Sequence, residues 1–407
     1  MAIITRRSSS TNKTITFDGY TGDLVPEISD GLGKAPNPTP LSVARRNLAA
    51  THIGDYALFG GGSTSSVSAV VDAYDTSLTR TTPTALSVKR RYPAPTHVGN
   101  YALFGGGGDD IKSGDDSYNS AVVDAYDTSL TRTTPTALSA VRSGLAATHI
   151  GDYALFGGGG DNNRYAVVDA YDTSLNRTTT TALSVARNGL AATHVGNYAL
   201  FGGGFDGDTS GDDSTRSAAV DAYDTSLNRT TPTALSVPRG SLTATHIGNY
   251  ALFGGGDSDG YSAVVDAYDT SLTRTTPTVL SHRTRYLAAT HIGNYALFGG
   301  GSIRSAVVDA YDTSLNRTIP TPLSVGREEL AATHIGDYAL FGGGFDDDLS
   351  GDGNQYSAVV DAYTTKVYKA TITLPPNVSY EFDGVSGTTT EPTDVLVGYP
   401  VYGSVTV

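Results

Sequence analysis

Histidine and aspartate recur through this 407-residue chain in a pattern that could support metal binding or acid–base chemistry. Each histidine belongs to a segment that first reads T-H-I-G-D-Y-A-L-F-G-G-G at Thr51 to Gly62, and each aspartate belongs to a V-D-A-Y signature. The histidines are His52, His97, His149, His194, His246, His291 and His334; the aspartates are Asp72, Asp124, Asp169, Asp221, Asp266, Asp309 and Asp361. From each aspartate to the next histidine is always 25 residues, whereas from each histidine to its own aspartate is 18 to 27 residues. The length variation therefore lies in one loop per repeat.

The regular placement of the histidines bears on what they do. A ring of imidazoles could bind a metal ion, but functional groups in a repeat protein usually break the symmetry of the scaffold. We therefore expect a structural role, in which each ring nitrogen hydrogen-bonds to backbone or to an aspartate or arginine of the neighbouring repeat. The V-D-A-Y aspartates and the linker arginines receive the same interpretation. His282 lies outside the pattern and is an exposed candidate for ligand binding.

Three of the variable loops are long and acidic: Gly108 to Ser120, Phe205 to Ser217 and Phe345 to Ser357. Ca²⁺ takes roughly six to eight oxygen ligands from carboxylates and carbonyls on flexible loops. The segment F-D-G-D-T-S-G-D-D could supply them, although it lacks the ligand order of an EF-hand. The candidate calcium ligands are Asp206, Asp208, Asp212, Asp213, Asp346, Asp348 and Asp352. Solvated acidic loops without a metal are the alternative.

Each repeat contains four runs of strand length separated by turn residues. In the first copy these runs are Leu48 to Ile53, Tyr56 to Phe59, Ala69 to Tyr74 and Arg80 to Leu86. The second and third runs are apolar at consecutive positions, which is typical of strands covered on both faces. A repeated four-stranded unit of this length is typical of a β-propeller blade, and propellers close with about 4 to 8 blades. The sequence therefore predicts an all-β, seven-bladed propeller.

The repeats resemble those of the kelch family. Kelch repeats carry a glycine pair after the second strand, here Gly60 and Gly61, a tyrosine in the third strand, here Tyr74, and an arginine ahead of the first strand. That arginine is Arg45, Arg90, Arg142, Arg187, Arg239 and Arg327, and Thr284 takes its place in the sixth repeat. The family's tryptophan is absent throughout, so we expect Leu78 and its copies to fill the space between blades.

The two ends of the chain do not belong to the repeat. We predict an N-terminal arm at residues 1–37, the propeller at 38–375, and a β-rich C-terminal arm at 376–407. Either end could supply the strand that closes the ring; Pro38 to Ala44 imitates the lead-in of later blades, but we expect Thr371 to Leu374 to close it. The arms are rich in Thr, Ser, Gly and Pro, so they either add strands to a neighbour or form disordered tails.

The linkers between blades and the loops between second and third strands emerge on the same face of a propeller, and both vary here. A rigid scaffold with one diversified face is suited to ligand binding, whereas neutral drift in exposed loops is the alternative. The candidate ligand-binding residues on this face are Arg46, Arg91, Tyr92, Tyr118, Tyr261, His282, Arg285, Tyr286 and Tyr356.

Composition and missing motifs exclude several functions. The chain has no cysteine and a formal charge of −14, which excludes thiolate chemistry and disfavours nucleic acid or anionic lipid as a partner. No run of signal-peptide length opens the chain, and no stretch approaches the ~20 apolar residues of a membrane span. The copper site of kelch-type galactose oxidases needs a cysteine, and sialidase-type turns need tryptophan; nucleophile-elbow, phosphate-loop and His-Glu metalloprotease motifs are also missing. We therefore expect no enzymatic activity.

Near-identical blades flanked by non-repeat arms are similar to kelch-like structural proteins of bacteriophages. The resemblance implies a virion protein, made in the host cytoplasm and present in many copies. Its arms would contact other tail or capsid proteins, and its variable face would bind a host-surface glycan or protein. The alternatives are a cytoplasmic kelch scaffold that binds a protein or peptide, and a carbohydrate-active enzyme that uses a carboxylate pair in the loops.

Overall fold

The computed structural model describes residues 13–17, 20–25, 31–113, 117–207, 215–346, 355–366, 368–382, 385–399 and 403–406. Their regular secondary structure is entirely β. Within these ranges, no helix has the length and apolar character needed to cross a membrane. The chain divides into two compact units, residues 37–361 and a terminal unit of residues 1–36 with 362–407.

Seven four-stranded antiparallel sheets form the blades, which confirms the predicted all-β propeller. The inner strands are Ala49–Ile53, Ala94–Val98, Ser143–Ile150, Ala191–Val195, Thr243–Ile247, Ala288–Ile292 and Ala331–Ile335. The second strands are Tyr56–Gly60, Tyr101–Gly105, Tyr153–Gly160, Tyr198–Gly202, Tyr250–Gly254, Tyr295–Gly299 and Tyr338–Gly342. The third strands are Val71–Asp75, Val123–Asp127, Val168–Asp172, Val220–Asp224, Val265–Asp269, Val308–Asp312 and Val360–Thr364. The outer strands are Arg80–Thr81, Arg132–Thr133, Arg177–Thr180, Arg229–Thr230, Arg274–Thr275, Arg317–Thr318 and Gly33–Ala35.

Packing between blades depends on a phenylalanine placed against a glycine. A Cβ added to Gly60 would lie 2.9 Å from the Phe104 ring of the next blade, and the contact recurs around the ring to Gly342 and Phe59. The glycine that follows each Y-A-L-F run is therefore required by its neighbour's aromatic ring. Leu130, a copy of Leu78, packs partly buried against the same cluster as Phe104, as expected for the missing tryptophan.

A buried ion pair fixes each linker to its own blade. Arg45 contacts Asp72 at 2.8 Å and donates from Nε to the Gly61 carbonyl at 2.8 Å and from Nη2 to the Phe59 carbonyl at 3.0 Å. Both side chains of this pair are fully buried. The same pair forms in five further blades, as Arg90–Asp124, Arg142–Asp169, Arg187–Asp221, Arg239–Asp266 and Arg327–Asp361. Aspartate and arginine thus have the structural role predicted for them.

The sixth blade departs from this scheme at the arginine position. Buried Thr284 replaces the arginine, and Asp309 keeps only the contacts that equivalent aspartates also make, with the outer-strand Arg317 at 2.8 Å and the Ser281 hydroxyl at 3.0 Å. This blade therefore keeps its carboxylate without the buried guanidinium.

The strand that completes the seventh sheet comes from the N-terminal side, so the expectation that Thr371 to Leu374 fills this place is wrong. Gly33–Ala35 pairs with Val360–Thr364, in the sheet order that places it outermost. The three residues G-K-A carry no strand pattern of their own, and only the pairing identifies them.

The terminal unit contains two sheets of its own. Lys13–Phe17, Tyr20–Val25, Tyr368–Leu374 and Thr393–Tyr399 form an antiparallel sheet in that order. Ser379–Phe382 pairs with both Val385–Thr388 and Gly403–Thr406. Strands from the two ends of the chain meet in the register Asp23↔Thr371, so the arms pair with each other.

Candidate ligand-binding face

Each linker lies directly beside the loop that follows its own second strand. Isolated antiparallel bridges join Arg46 to Ser63, Asn188 to Phe205 and Glu328 to Phe345. The variable segments of a blade therefore share one face, which we call the linker face. Short hairpins extend two of its loops, Gly108–Ser113 with Ser117–Asn119 and Phe205–Asp206 with Thr215–Arg216.

Seven equivalent linker residues form a ring at the centre of this face; six lie two residues before an inner strand, and Gly144 is the second residue of the third one. This mouth ring consists of Asn47, Tyr92, Gly144, Gly189, Ser241, Tyr286 and Glu329, all at φ between 51° and 63°. Backbone hydrogen bonds link its members from blade to blade, from Glu329 N to Tyr286 O at 3.0 Å and from Asn47 N to Glu329 O at 3.0 Å. Positive φ is uncommon outside glycine, so these bonds hold five side chains in a strained backbone conformation.

The mouth ring is lopsided. Tyr286, Glu329, Asn47 and Tyr92 come from consecutive blades and line one half, whereas Gly144, Gly189 and Ser241 leave the other half nearly free of side chains. Tyr92 is 45% exposed and Tyr286 is 37% exposed, although both are large and aromatic. One half of the mouth ring therefore presents aromatic and charged side chains, and the other half presents almost none.

Charged groups converge beside Tyr92. Arg46 contacts Glu329 at 3.0 Å, and its guanidinium lies 4.6 Å from the centre of the Phe345 ring and 5.8 Å from that of Tyr356. Partial burial first, and then the Glu329 carboxylate, raises the pKa of Tyr92 to about 12. The phenol therefore stays protonated and can donate a hydrogen bond at neutral pH.

A second guanidinium and aromatic cluster surrounds Arg285. Its guanidinium lies 4.7 Å from the Tyr286 ring centre and 5.1 Å from that of Tyr261, and it contacts Asp257 at 2.8 Å. Arg216 of the preceding blade also binds Asp257, at 2.6 Å. These contacts orient Arg285 and Tyr286 before any ligand arrives.

Glu328 and Arg304 are two further charged residues of the linker face near the seventh blade. Arg304 lies 4.9 Å from the Phe345 ring centre, and Ile303 beside it is 84% exposed. Burial first, and then the charge of Glu329, raises the pKa of Glu328. The linker face thus holds one carboxyl group that is easier to protonate than an ordinary glutamate.

The structure brings together most of the sequence-predicted candidates on the linker face. Arg46 contacts Tyr356, Arg285 contacts Tyr261 and Tyr286, and Tyr92 lies within the electrostatic reach of Arg46, Arg91 and Tyr286. Sequence reasoning missed Asn47, Arg304, Glu328, Glu329 and Phe345. The changing residue two places after each linker arginine was the available signal; the positive φ and the ring contacts were not visible in the sequence.

His282 does not join these clusters. Burial lowers its pKa, while the nearby Asp309 carboxylate acts in the opposite direction, so it lies towards the buried acid of the sixth blade. Neither ring nitrogen has a hydrogen-bond partner among the described residues. The side chain of Tyr118 lies outside the described part of the chain.

Most calcium candidates also lie outside the described residues, namely Asp208, Asp212, Asp213, Asp348 and Asp352. Asp206 accepts a hydrogen bond from the Thr215 hydroxyl at 2.6 Å, and Asp346 donates its backbone N–H to Gln355 O at 2.9 Å. In the described ranges, no group of three or more potential ligands is arranged to hold a metal. Calcium binding stays a prediction.

The seven repeat histidines pack against one another at the inner edge of the blades. Adjacent ring centroids are 3.9 to 4.5 Å apart, and the circle closes between His334 and His52 at 4.1 Å. The expectation that aspartates or arginines of a neighbouring blade hold these rings is wrong, because those residues pair with each other. Each imidazole instead contacts two other imidazoles.

No family model matches the chain, and no curated protein is detectably similar to it in sequence. A solved structure titled "Structure of YjhT" matches it with a TM-score of 0.52 at 12% identity, over 82% of this chain and 99% of that one. At this identity the likeness concerns the fold alone. Together with the seven sheets described above, it identifies the repeat region as a seven-bladed β-propeller.

Proposed function

We propose that this chain is a non-enzymatic binding protein of the kelch-like type that recognises a glycan or protein on a host surface through its linker face. The observation that carries the proposal is the mouth ring. At seven equivalent positions of an otherwise copied scaffold, the side chains differ and form one aromatic, charged half. Neutral drift accounts poorly for strained backbone that retains large exposed tyrosines at such positions.

The chemistry of the lining favours a saccharide. Tyr92 and Tyr286 offer flat apolar surfaces with a polar tip, on which the C–H face of a pyranose ring can pack. Arg46 and Glu329 supply charged donors and acceptors suited to sugar hydroxyls. Tyrosine and arginine are also the residue types that carry most energy at binding surfaces.

Glycan binding is tested by screening the intact protein against an array of bacterial surface polysaccharides. We expect the variant Tyr92→Ala/Tyr286→Ala to lose at least about tenfold in affinity, because each lost aromatic contact is worth about 1 kcal/mol or more. The matched control is Asn249→Asp in an exposed turn at the other end of an inner strand, where the first blade carries Asp55. Binding that the double variant retains would contradict the proposal, as would failure of the intact protein to bind any glycan or host-cell surface.

We place this binding protein on a bacteriophage particle. The pairing of both chain ends into a compact unit of its own supports an attachment function for that unit. Mass spectrometry of purified particles is expected to find the chain at a fixed stoichiometry to a tail or capsid protein. Recovery of the chain only as a free cytoplasmic protein would favour the alternative, an intracellular scaffold for a protein partner.

One observation favours a second candidate, a carbohydrate-active enzyme. Glu328, whose pKa is raised, stands next to the Arg46-bound Glu329 in the chain, so this part of the linker face offers a carboxyl group suited to act as a general acid. Shortened products after incubation with a bound glycan, abolished in Glu328→Gln, would establish hydrolysis. An unchanged glycan supports binding alone.

A further inference from the structure

The histidine circle at the inner edge is a closed arrangement of seven titratable groups. Consecutive rings are tilted by 43° to 56°, and their centroids lie 3.9 to 4.5 Å apart on every side. Every imidazole therefore has two imidazole neighbours and no gap at which the series ends. We call this group the histidine ring.

The elements packed against the histidine ring bring no compensating charge. On each second strand the residue opposite the histidine is alanine, as in His52↔Ala57 and His246↔Ala251. Two residues before each histidine on the inner strand stands alanine, or Pro95 in the second blade. The closest acids along the chain, Asp55, Asp152 and Asp337, lie in exposed turns three residues away. Among the described residues, the charges that act on these histidines are those of other histidines of the ring.

This environment suppresses protonation. Burial first, and then the neighbouring imidazoles, lowers the pKa of His97, His246 and His334 to about 2. Burial also lowers the pKa of His149 and His291 to about 3 and that of His52 and His194 to about 4. The folded ring is therefore uncharged at neutral pH and resists charging well below the ordinary range of histidine.

We propose that the histidine ring is an acid-sensitive clamp, which holds the inner strands together while neutral and forces the propeller open when acid charges its members. The seven histidines are half-buried, and charging two rings whose centroids lie about 4 Å apart sets like charges against each other, with no carboxylate of the described residues acting on them. Because the seven rings form one circle, charge on one raises the cost of charging its two neighbours. Opening the blades relieves this repulsion all at once. This inference does not depend on the proposed function.

The direction of the pH dependence follows from the lowered pKa values. The unfolded chain binds protons at these histidines near pH 6.5, whereas the folded chain does so only near pH 4 and below, so stability is present above 6.5 and is lost as the pH falls. The pKa values of His282 and Glu328 are shifted as well. His282 acts in the same direction because its pKa is also lowered, and Glu328 acts in the opposite direction because its pKa is raised.

Urea unfolding of the intact chain between pH 7 and pH 5 tests the clamp. We expect unfolding to take up about seven protons near pH 5, which corresponds to a change in the unfolding constant of about seven powers of ten per pH unit. Turn aspartates interfere little between pH 7 and pH 5, since an ordinary aspartate has a pKa of about 3.9 and the Ser129 hydrogen bond lowers the pKa of Asp127 further. Uptake of two protons or fewer would overturn the proposal.

Two variants distinguish the effect of the ring histidines from that of a histidine elsewhere in the chain. His97→Gln/His194→Gln/His291→Gln removes three non-adjacent members and is expected to reduce the proton uptake by about three. The control His282→Gln removes a histidine outside the ring and is expected to reduce it by at most about one. If the two variants took up the same number of protons on unfolding, the proposed clamp would be contradicted.

A measurement on the unaltered protein guards against variants that do not fold. In an NMR titration of histidine side chains, the seven ring resonances are expected to stay in the neutral form at every pH at which the protein remains folded. Resonances that titrate near pH 6.5 while the protein remains folded would overturn the proposal.

Discussion

The linker arginine position and the mouth ring lie two residues apart in every blade, yet they follow opposite rules. At the first, six of seven blades carry the same fully buried arginine, paired with the same aspartate. At the second, the side chains range from none in Gly144 to Tyr92 and Glu329. The seven mouth-ring positions share one backbone conformation, so only the demand on the side chain differs among them. In a repeat protein, a residue that is identical in every repeat indicates a requirement of the scaffold. A position where the residue differs although the backbone conformation is the same indicates where a ligand can be recognised.

We expect the largest loss of stability when the buried pair of linker arginine and aspartate is broken. Asp72→Ala leaves Arg45 fully buried without its carboxylate, and such a break costs about 3–5 kcal/mol of unfolding free energy. Urea unfolding at pH 7 measures it. Asp309→Ala in the sixth blade is the matched control, because Thr284 stands where the guanidinium would be stranded. We expect a clearly smaller loss there, and equal losses would show that the buried pair is not what stabilises the linker.

A smaller effect is expected where blades meet. A Cβ on Gly105 would lie 2.5 Å from the Phe156 ring, so Gly105→Ala forces that ring to move and costs about 1–3 kcal/mol. Thermal unfolding reports the loss. Trimming the ring in Gly105→Ala/Phe156→Leu should recover part of it relative to the sum of the single changes. Strict additivity would mean that the two residues do not meet.

The sequence predicts the repeated scaffold well and the variable linker face in part. Strand runs, turn glycines and their spacing lead to seven blades because each signal is local and repeated seven times. Gly33–Ala35 escapes prediction because three residues carry no period, and its place depends on the pairing with Val360–Thr364. Arg46 and Tyr286 were found as variable linker residues, whereas Phe345 was missed because its contact with Arg46 crosses from one blade to the next. The sequence suggested a ring of imidazoles, but the contacts between adjacent rings were not predicted, because no single repeat gives the distance between blades.

We expect the smallest loss of stability from a substitution in the mouth ring, at Gly144, and we expect that substitution to have a large effect on binding. Gly144 has φ +63°, and an added Cβ would meet its nearest neighbour, the Gly189 nitrogen, at an ordinary 3.4 Å. Tyrosine already occupies the equivalent backbone at Tyr92 with φ 52°. Gly144→Tyr is therefore expected to fold and to cost about 1 kcal/mol for the left-handed backbone.

Its side chain would project into the open half of the mouth ring and exclude a ligand that rests on Tyr92 and Tyr286. We expect affinity for the bound glycan to fall at least about tenfold, a loss that calorimetry can measure. Gly144→Asn is the control, because asparagine tolerates this backbone and is as short as the Asn47 that the ring already holds. Binding that survives the tyrosine, or is lost equally with asparagine, would mean that the ligand does not enter the mouth ring, and the differences among its seven positions would then need another explanation.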